Sequence, residues 1–229
     1  MARPLIVFDM DGVLVEVTES YRESIRRTVE HFTGKPVTFD DIQKYKNAGG
    51  WNNDWKLSHR MTADLGVTVA YQDVIDLFQQ LFLGDGGNGL ILREKWIAKP
   101  GVLESLLEKC DLGVYTGRPK YEAGLTLSRF AKELPFDPLL THDDVVRGKP
   151  HPEGLEKVKA MRPDREIWYV GDTVDDARCA RGAGVPFIGV ASQSHGTRAE
   201  LTELFAAENA ATVLDDINQL ESFLASRNS

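Results

Sequence analysis

The chain has 229 residues, 42% of them hydrophobic and 27% charged, with 27 Lys and Arg against 35 Asp and Glu for a formal net charge of −8. That length falls between one and two domains and is ample for a buried core, while the acidic balance argues against a general nucleic-acid-binding surface. Two cysteines, Cys110 and Cys179, exclude a disulfide scaffold and a Cys-rich metal site, and read as buried thiols of a reducing compartment.

The N-terminus passes from Met1-Ala2-Arg3-Pro4 into the apolar run Leu5-Ile6-Val7-Phe8, which Asp9 ends. The run is too short for a signal-peptide core or a membrane span, so a soluble cytoplasmic protein is expected. It reads as a fully buried strand followed by a turn at Asp11-Gly12. From residue 16 to about 92 come successive helical patterns, Glu19–Phe32, Phe39–Asn47, Trp55–Leu65 and Tyr71–Leu83, with no convincing strand. Pro100-Gly101 marks the return to the first domain, ahead of a helix over Leu103–Lys109. Short apolar runs then recur at Leu112–Tyr115, Ile167–Val170, Phe187–Val190 and Thr212–Leu214, with a helical pattern over Glu153–Met161. Strands alternating with helices predict an α/β fold: a doubly wound, Rossmann-like parallel sheet with helices on both faces. Residues 1–15 and 93–229 would form this core, and 16–92 an inserted all-helical domain.

Some motif matches lack their context. Gly84-Asp85-Gly86-Gly87-Asn88-Gly89 fits G-x-G-x-x-G, but it follows a helix rather than a strand and reads as a loop. Gly148-Lys149 is followed by Pro150 where a P-loop needs Ser or Thr, and there is no G-x-S-x-G elbow. The five histidines show no metal-ligand spacing; His151 and His195 read as loop residues.

The polar residues at the strand ends form a more specific pattern. Asp9 and Asp11 follow the first strand, Thr116 and Gly117 the second, and Asp172 and Asp176 a later one, with Lys149 in the loop Arg147–Pro150. Open parallel sheets bind ligands at this edge. Taken singly, each Asp is an ordinary turn or cap residue. Gathered together, four carboxylates repel one another and call for a cation, and hard oxygen ligands suit Mg²⁺. A lysine, a threonine and turn N–H groups suit a phosphoryl group, which adds up to a metal-assisted phosphoryl-transfer site. The spacing of Asp172 and Asp176 would put both on one face of a first helical turn.

These residues resemble the four motifs of the haloacid dehalogenase-like hydrolase superfamily, in order: Asp9-Met10-Asp11-Gly12-Val13-Leu14, Val114-Tyr115-Thr116-Gly117-Arg118, Gly148-Lys149-Pro150-His151-Pro152, and Gly171-Asp172-Thr173-Val174-Asp175-Asp176 with the Ala- and Gly-rich turn Ala177–Gly184. The resemblance spans the chain and is to phosphatases of subfamily IA, with a helical cap of the C1 type at 16–92. It implies Asp9 as nucleophile, forming an aspartyl-phosphate, and Asp11 as general acid and then base. It implies Mg²⁺ held by Asp9, the Asp11 carbonyl and Asp172, with Asp176 or Asp175 nearby, and phosphoryl oxygens held by Thr116, Gly117 and Lys149. An Asp at position 11 favours phosphate monoesters, because superfamily dehalogenases and phosphonatases lack that carboxylate. A phosphomutase like β-phosphoglucomutase and a phosphonatase stay open as alternatives on the same fold. A phospho-accepting receiver module is the alternative of another class, disfavoured by the Asp9/Asp11 pairing and the helical insertion.

Within the cap, Lys46–Lys56 holds two tryptophans, three asparagines, two lysines and two glycines in eleven residues. It reads either as a binding loop or as a structural loop whose tryptophans anchor it and whose Asn52-Asn53-Asp54 cap the next helix. Asn47, Gly50, Trp51, Asn52, Trp55 and Lys56 are its substrate-contact candidates, and Arg118 is a further one, weighed against a surface salt bridge. The loop resembles a superfamily group related to imidazole-glycerol-phosphate enzymes, which implies a small phosphorylated metabolite, with no nucleic acid or membrane partner. A monomer and a homodimer are both open.

Overall fold

The computed structural model of the chain describes residues 3–192 and 198–227; His195 lies outside them. The chain divides into two compact units, Met1–Val15 with Trp96–Ser229, and Glu16–Lys95. A two-stranded ribbon, β2 (Val15–Glu16) with β3 (Lys95–Trp96), carries the chain between them, after β1 (Leu5–Phe8).

The helical unit opens with a π-helical turn, Thr18–Arg22, running into α1 (Glu23–Thr33). It continues through α2 (Phe39–Ala48), α3 (Asp54–Asp64) and α4 (Tyr71–Leu83). Three of these helix ends have a local cause. Thr38 caps α2 and exchanges bonds with Asp41, Asn53 caps α3, and Gly34 closes α1 in the left-handed conformation. Tyr21, Phe78 and Phe82 pack ring on ring within the unit, and Ile25 and Val29 of α1 and Leu57 of α3 are fully buried.

The α/β unit continues with α5 (Val102–Lys109), β4 (Asp111–Tyr115), α6 (Lys120–Phe130), β5 (Phe136–Leu140), α7 (Glu153–Met161), β6 (Ile167–Gly171), α8 (Val174–Ala183), β7 (Phe187–Val190), α9 (Arg198–Ala207), β8 (Thr212–Leu214) and α10 (Leu220–Arg227). Six strands form one sheet in the order β5-β4-β1-β6-β7-β8, and every pairing is parallel. Neighbouring β6 residues show that both faces are covered. Trp168 meets Phe223 of α10, while Tyr169 joins Phe187, Phe205 and the α7–α8 residues Leu155 and Ala180 in another cluster. Covered on both sides, β1 can be apolar throughout. The chain leaves β1 toward β4 and leaves β6 toward β7, so the switch point of the sheet lies between β1 and β6. Among the described residues no helix is long and apolar enough to cross a membrane.

Two expectations need correcting. The Ala- and Gly-rich stretch from Ala177 is the body of α8, not a turn; alanine is the best helix former, and the left-handed residue that stops it is Gly184. Asp172 is not on that helix, because Thr173 is the extended N-cap and exchanges bonds with Asp176 at the third helical position. Strand β5, unread from its sequence, carries the turn-like pair Asp137-Pro138. It sits at the sheet edge, where proline costs no ladder bond. A Cβ on Gly113 would come within 3.0 Å of the Pro138 carbonyl, so glycine lets β4 accept it.

Candidate active site

Asp9 continues β1 by one residue, its N–H bonding the Val170 carbonyl of β6 at 2.8 Å. The chain then wraps around the Met10 carbonyl, which accepts from Val13, Leu14 and Val15. Gly12 makes the wrap possible with φ +74°, and a Cβ there would fall 2.0 Å from Oδ2 of Asp172. The absent side chain of Gly12 is thus the space the Asp172 carboxylate occupies.

Asp9, Asp172 and Asp176 each place a carboxylate oxygen so that the three lie within 4.8 Å of one another. Lys149 stands among them with its side chain 1% exposed. Its ammonium donates to Asp9 Oδ1 at 2.9 Å, to Asp176 Oδ1 at 2.7 Å and to the Tyr169 hydroxyl at 3.0 Å. All three N–H bonds are therefore committed. The Tyr169 hydroxyl donates to Asp176 Oδ1 at 2.8 Å, and the Tyr115 and Tyr169 rings flank the ammonium at 5.4 and 5.7 Å. The second oxygen of Asp176 accepts from the Thr173 N–H and hydroxyl, so this carboxylate is held from both sides. Asp175, the other candidate, is buried and turned toward Arg178 at 4.0 Å.

The electrostatics follow. Burial is the main reason the Asp9 carboxyl is pushed up to about 7; Lys149 opposes it, and the charges of Asp176 and Asp11 reinforce it. Burial acts the same way on Asp176, but the Lys149 charge and the bonds from Lys149, Thr173 and Tyr169 outweigh it and hold that carboxyl low. Burial disfavours the Lys149 ammonium, yet Asp176 and Asp9 keep its pKa well above the usual lysine range. One lysine does not balance this many carboxylates, and the hard oxygen set, with Asp172 seated in the space beside Gly12, fits a Mg²⁺ ion.

Thr116 directly follows β4, its N–H bonded to the Leu140 carbonyl and its buried hydroxyl accepting the Arg118 N–H at 3.2 Å. Gly117 is exposed beside it. Arg118 is neither a surface residue nor turned outward. It is 2% exposed, with Nε and Nη2 donating to Asp11 Oδ1 at 2.9 and 2.5 Å and Nη1 donating to Thr126 at 2.6 Å.

The remaining candidates belong to the helical unit. Asn47 is buried on α2, accepting from Gln43, which in turn accepts from Arg22; its Nδ2 has no partner among the described residues. Gly50 has φ +83°. Trp51 is an anchor within its own unit, edge-on to Tyr45 at 6.1 Å and under the Arg60 guanidinium at 6.0 Å. Asn53, rather than Asn52, caps α3 through the Lys56 N–H. Asn52 and Trp55 are half-buried and Lys56 is exposed.

Tyr169, Tyr115 and Thr126 escaped the sequence reading. For Tyr169 the available signal was a phenol inside an otherwise apolar strand, two residues before Gly171-Asp172.

A family model of haloacid dehalogenase-like hydrolases matches residues 6–190. An imidazoleglycerol-phosphate dehydratase of Phytophthora nicotianae is 37% identical over 201 residues, covering 83% of this chain and 44% of that protein. The chain thus spans less than half of that relative. A phosphorylated carbohydrates phosphatase of Thermotoga maritima is 28% identical over 188 residues, covering 79% and 81%. The structure of a haloacid dehalogenase-like hydrolase from Bacteroides fragilis superposes with a TM-score of 0.75 at 22% identity, covering 96% and 100%. At that identity the likeness concerns the fold.

Proposed function

The chain belongs to the haloacid dehalogenase-like hydrolases, and from that premise we propose that it is a Mg²⁺-dependent phosphatase of a small phosphate monoester. The observation that carries the reading is the convergence of Asp9, Asp172 and Asp176, two of them bonded to Lys149, with Asp11 and Thr116 on the loops after β1 and β4.

Asp9 attacks phosphorus, the ester P–O bond breaks, and its electron pair goes to the departing alkoxide, which takes a proton from Asp11. Water then attacks the aspartyl-phosphate, Asp11 accepts its proton, and phosphate leaves with Asp9 restored. Lys149 aims the attacking oxygen through its bond to Asp9. The Thr116 hydroxyl and the Gly117 N–H are donors for the equatorial oxygens. Asp9, the Asp11 carbonyl and Asp172 would hold Mg²⁺, which when bound neutralises the carboxylates and polarises the phosphoryl group. Asp176 acts mainly by fixing Lys149, since donors occupy both its oxygens. The helical unit would serve as a cap that shields the reaction and selects the substrate, with Asn47, Gly50, Asn52, Trp55 and Lys56 as contacts; Trp51 is better explained as its anchor.

The named relatives direct the choice of test esters. Phosphate release would be measured, with Mg²⁺ and with EDTA, from sugar and polyol phosphates, imidazole-bearing phosphates, nucleotides, phosphoglycolate and a phosphonate. Mg²⁺-dependent release from one or two related esters is expected. Release from none, or cleavage of the phosphonate alone, would contradict the reading.

A further inference from the structure

We propose that Arg118 is the positioning residue of the acid–base Asp11, fixing which carboxylate oxygen exchanges protons with the leaving group and with water. The inference rests on the phosphatase reading and deepens it.

Among the fully buried side chains of the described residues Arg118 is the largest. A guanidinium taken out of water needs partners for its donors, and here each of its three nitrogens donates inside the α/β unit. Two donate to one oxygen, Oδ1 of Asp11, and the third to Thr126 on α6. Its backbone is tied as well: the N–H bonds the Thr116 hydroxyl, and the carbonyl accepts from His142 at 2.9 Å. The guanidinium plane is therefore set by β4, by the loop after β5 and by α6 before any substrate arrives.

This arrangement has a directional consequence. The paired donors on Oδ1 stop the carboxylate from turning about its bond, which leaves Oδ2 as the oxygen that can carry a proton. The Asp11 side chain is 29% exposed while the Arg118 side chain that holds it is 1% exposed, so the carboxyl is anchored from the interior. A lysine could supply the charge but not the planar fork that fixes the orientation. An arginine with every nitrogen already donating is also poorly placed to recognise substrate, which separates this role from direct contact.

The test separates positioning from general structural support. With p-nitrophenyl phosphate the leaving group needs no acid, and kcat/KM reports transfer to Asp9; with an alkyl phosphate the acid is needed in that step. For Arg118→Met, kcat/KM on the alkyl ester is expected to fall about 100-fold while that on the aryl ester stays within about fivefold. Arg118→Lys should show a smaller split in the same direction, and it serves alone if the Met variant does not fold. In an Asp11→Asn background, Arg118→Met should add little to the alkyl loss. Thermal melts in EDTA of both single variants and the double variant should be non-additive, reporting the pair without catalysis. Equal losses on both esters in a folded variant, no loss on either, or additive melts would overturn the inference. The alkyl ester is the one cleaved in the panel above, and wild-type protein that releases phosphate from no ester of that panel with Mg²⁺ would overturn the phosphatase reading itself, and this inference with it.

Discussion

Lys149 makes three bonds with three protons, and the partner least expected from sequence is the Tyr169 hydroxyl. That hydroxyl accepts from the ammonium and donates to Asp176, so it closes the triangle that keeps Lys149 on Asp9. Tyr169→Phe removes both bonds without changing the ring. It should lower stability by about 1–2 kcal/mol, read by denaturant melts, and lower kcat about tenfold with a smaller change in KM. An unchanged melt and an unchanged kcat would show the hydroxyl to be idle. At this scale the sequence was most readable where a polar residue ends an apolar strand, because few structural needs place Asp9, Thr116 or Asp172 there. Tyr169 stayed hidden because a phenol in a buried strand looks like packing. The role of Arg118 stayed hidden because its partner Asp11 is 107 residues away in the chain.

The turn between β1 and β2 is the element that seats Asp172 beside Asp9 in the proposed Mg²⁺ site. Gly12→Ala would strain a left-handed backbone by about 1–2 kcal/mol and drive a methyl group into Asp172. Mg²⁺ affinity, read by calorimetric titration, should fall about tenfold or more; an unchanged affinity would remove Asp172 from the site. In the helical unit, α1 holds its own ion-pair cluster. Glu23, with its side chain 7% exposed, accepts from Arg26 at 2.7 Å and from Arg27 at 2.6 Å. The bond from Arg26 chiefly, with that from Arg27, outweighs burial and keeps the Glu23 carboxyl below the usual glutamate value. A carboxyl lowered in the folded state contributes stability above its unfolded pKa and loses it as pH falls through the folded one. Glu23→Gln should therefore melt below wild type at neutral pH, by about 1–2 kcal/mol, and the gap should close in acid below the ordinary glutamate range. A gap independent of pH would assign the loss to packing. Most elements were legible from periodicity, including all four helices of the inserted unit. Strand β5 was not, because Pro138 is a turn signal in sequence and an edge residue in space. The start of α8 was misplaced because the Thr173–Asp176 capping exchange, rather than carboxylate spacing, decides where that helix begins.

At the scale of the whole molecule, each unit has its own apolar centre, which is why the division could be read from the change of period after Val15. The return point was less clear. Leu90–Arg93 forms a 3-10 turn, and the helical unit runs on to Lys95, three residues past the sequence boundary of 92. The candidate site residues Asp9, Lys149 and Asp172 lie in the α/β unit, and the proposed reaction begins there with transfer of a phosphoryl group to Asp9. The most direct test is to quench the protein during turnover of a cleaved ester and treat it with borohydride, which reduces an aspartyl-phosphate to homoserine. Peptide mass spectrometry then reads position 9, with Asp9→Asn as the control. Homoserine at position 9, formed only with substrate and Mg²⁺ and accompanied by loss of phosphate release in the folded Asp9→Asn protein, is the predicted result. Sustained release by the Asp9→Asn protein, or homoserine at another position, would contradict the account.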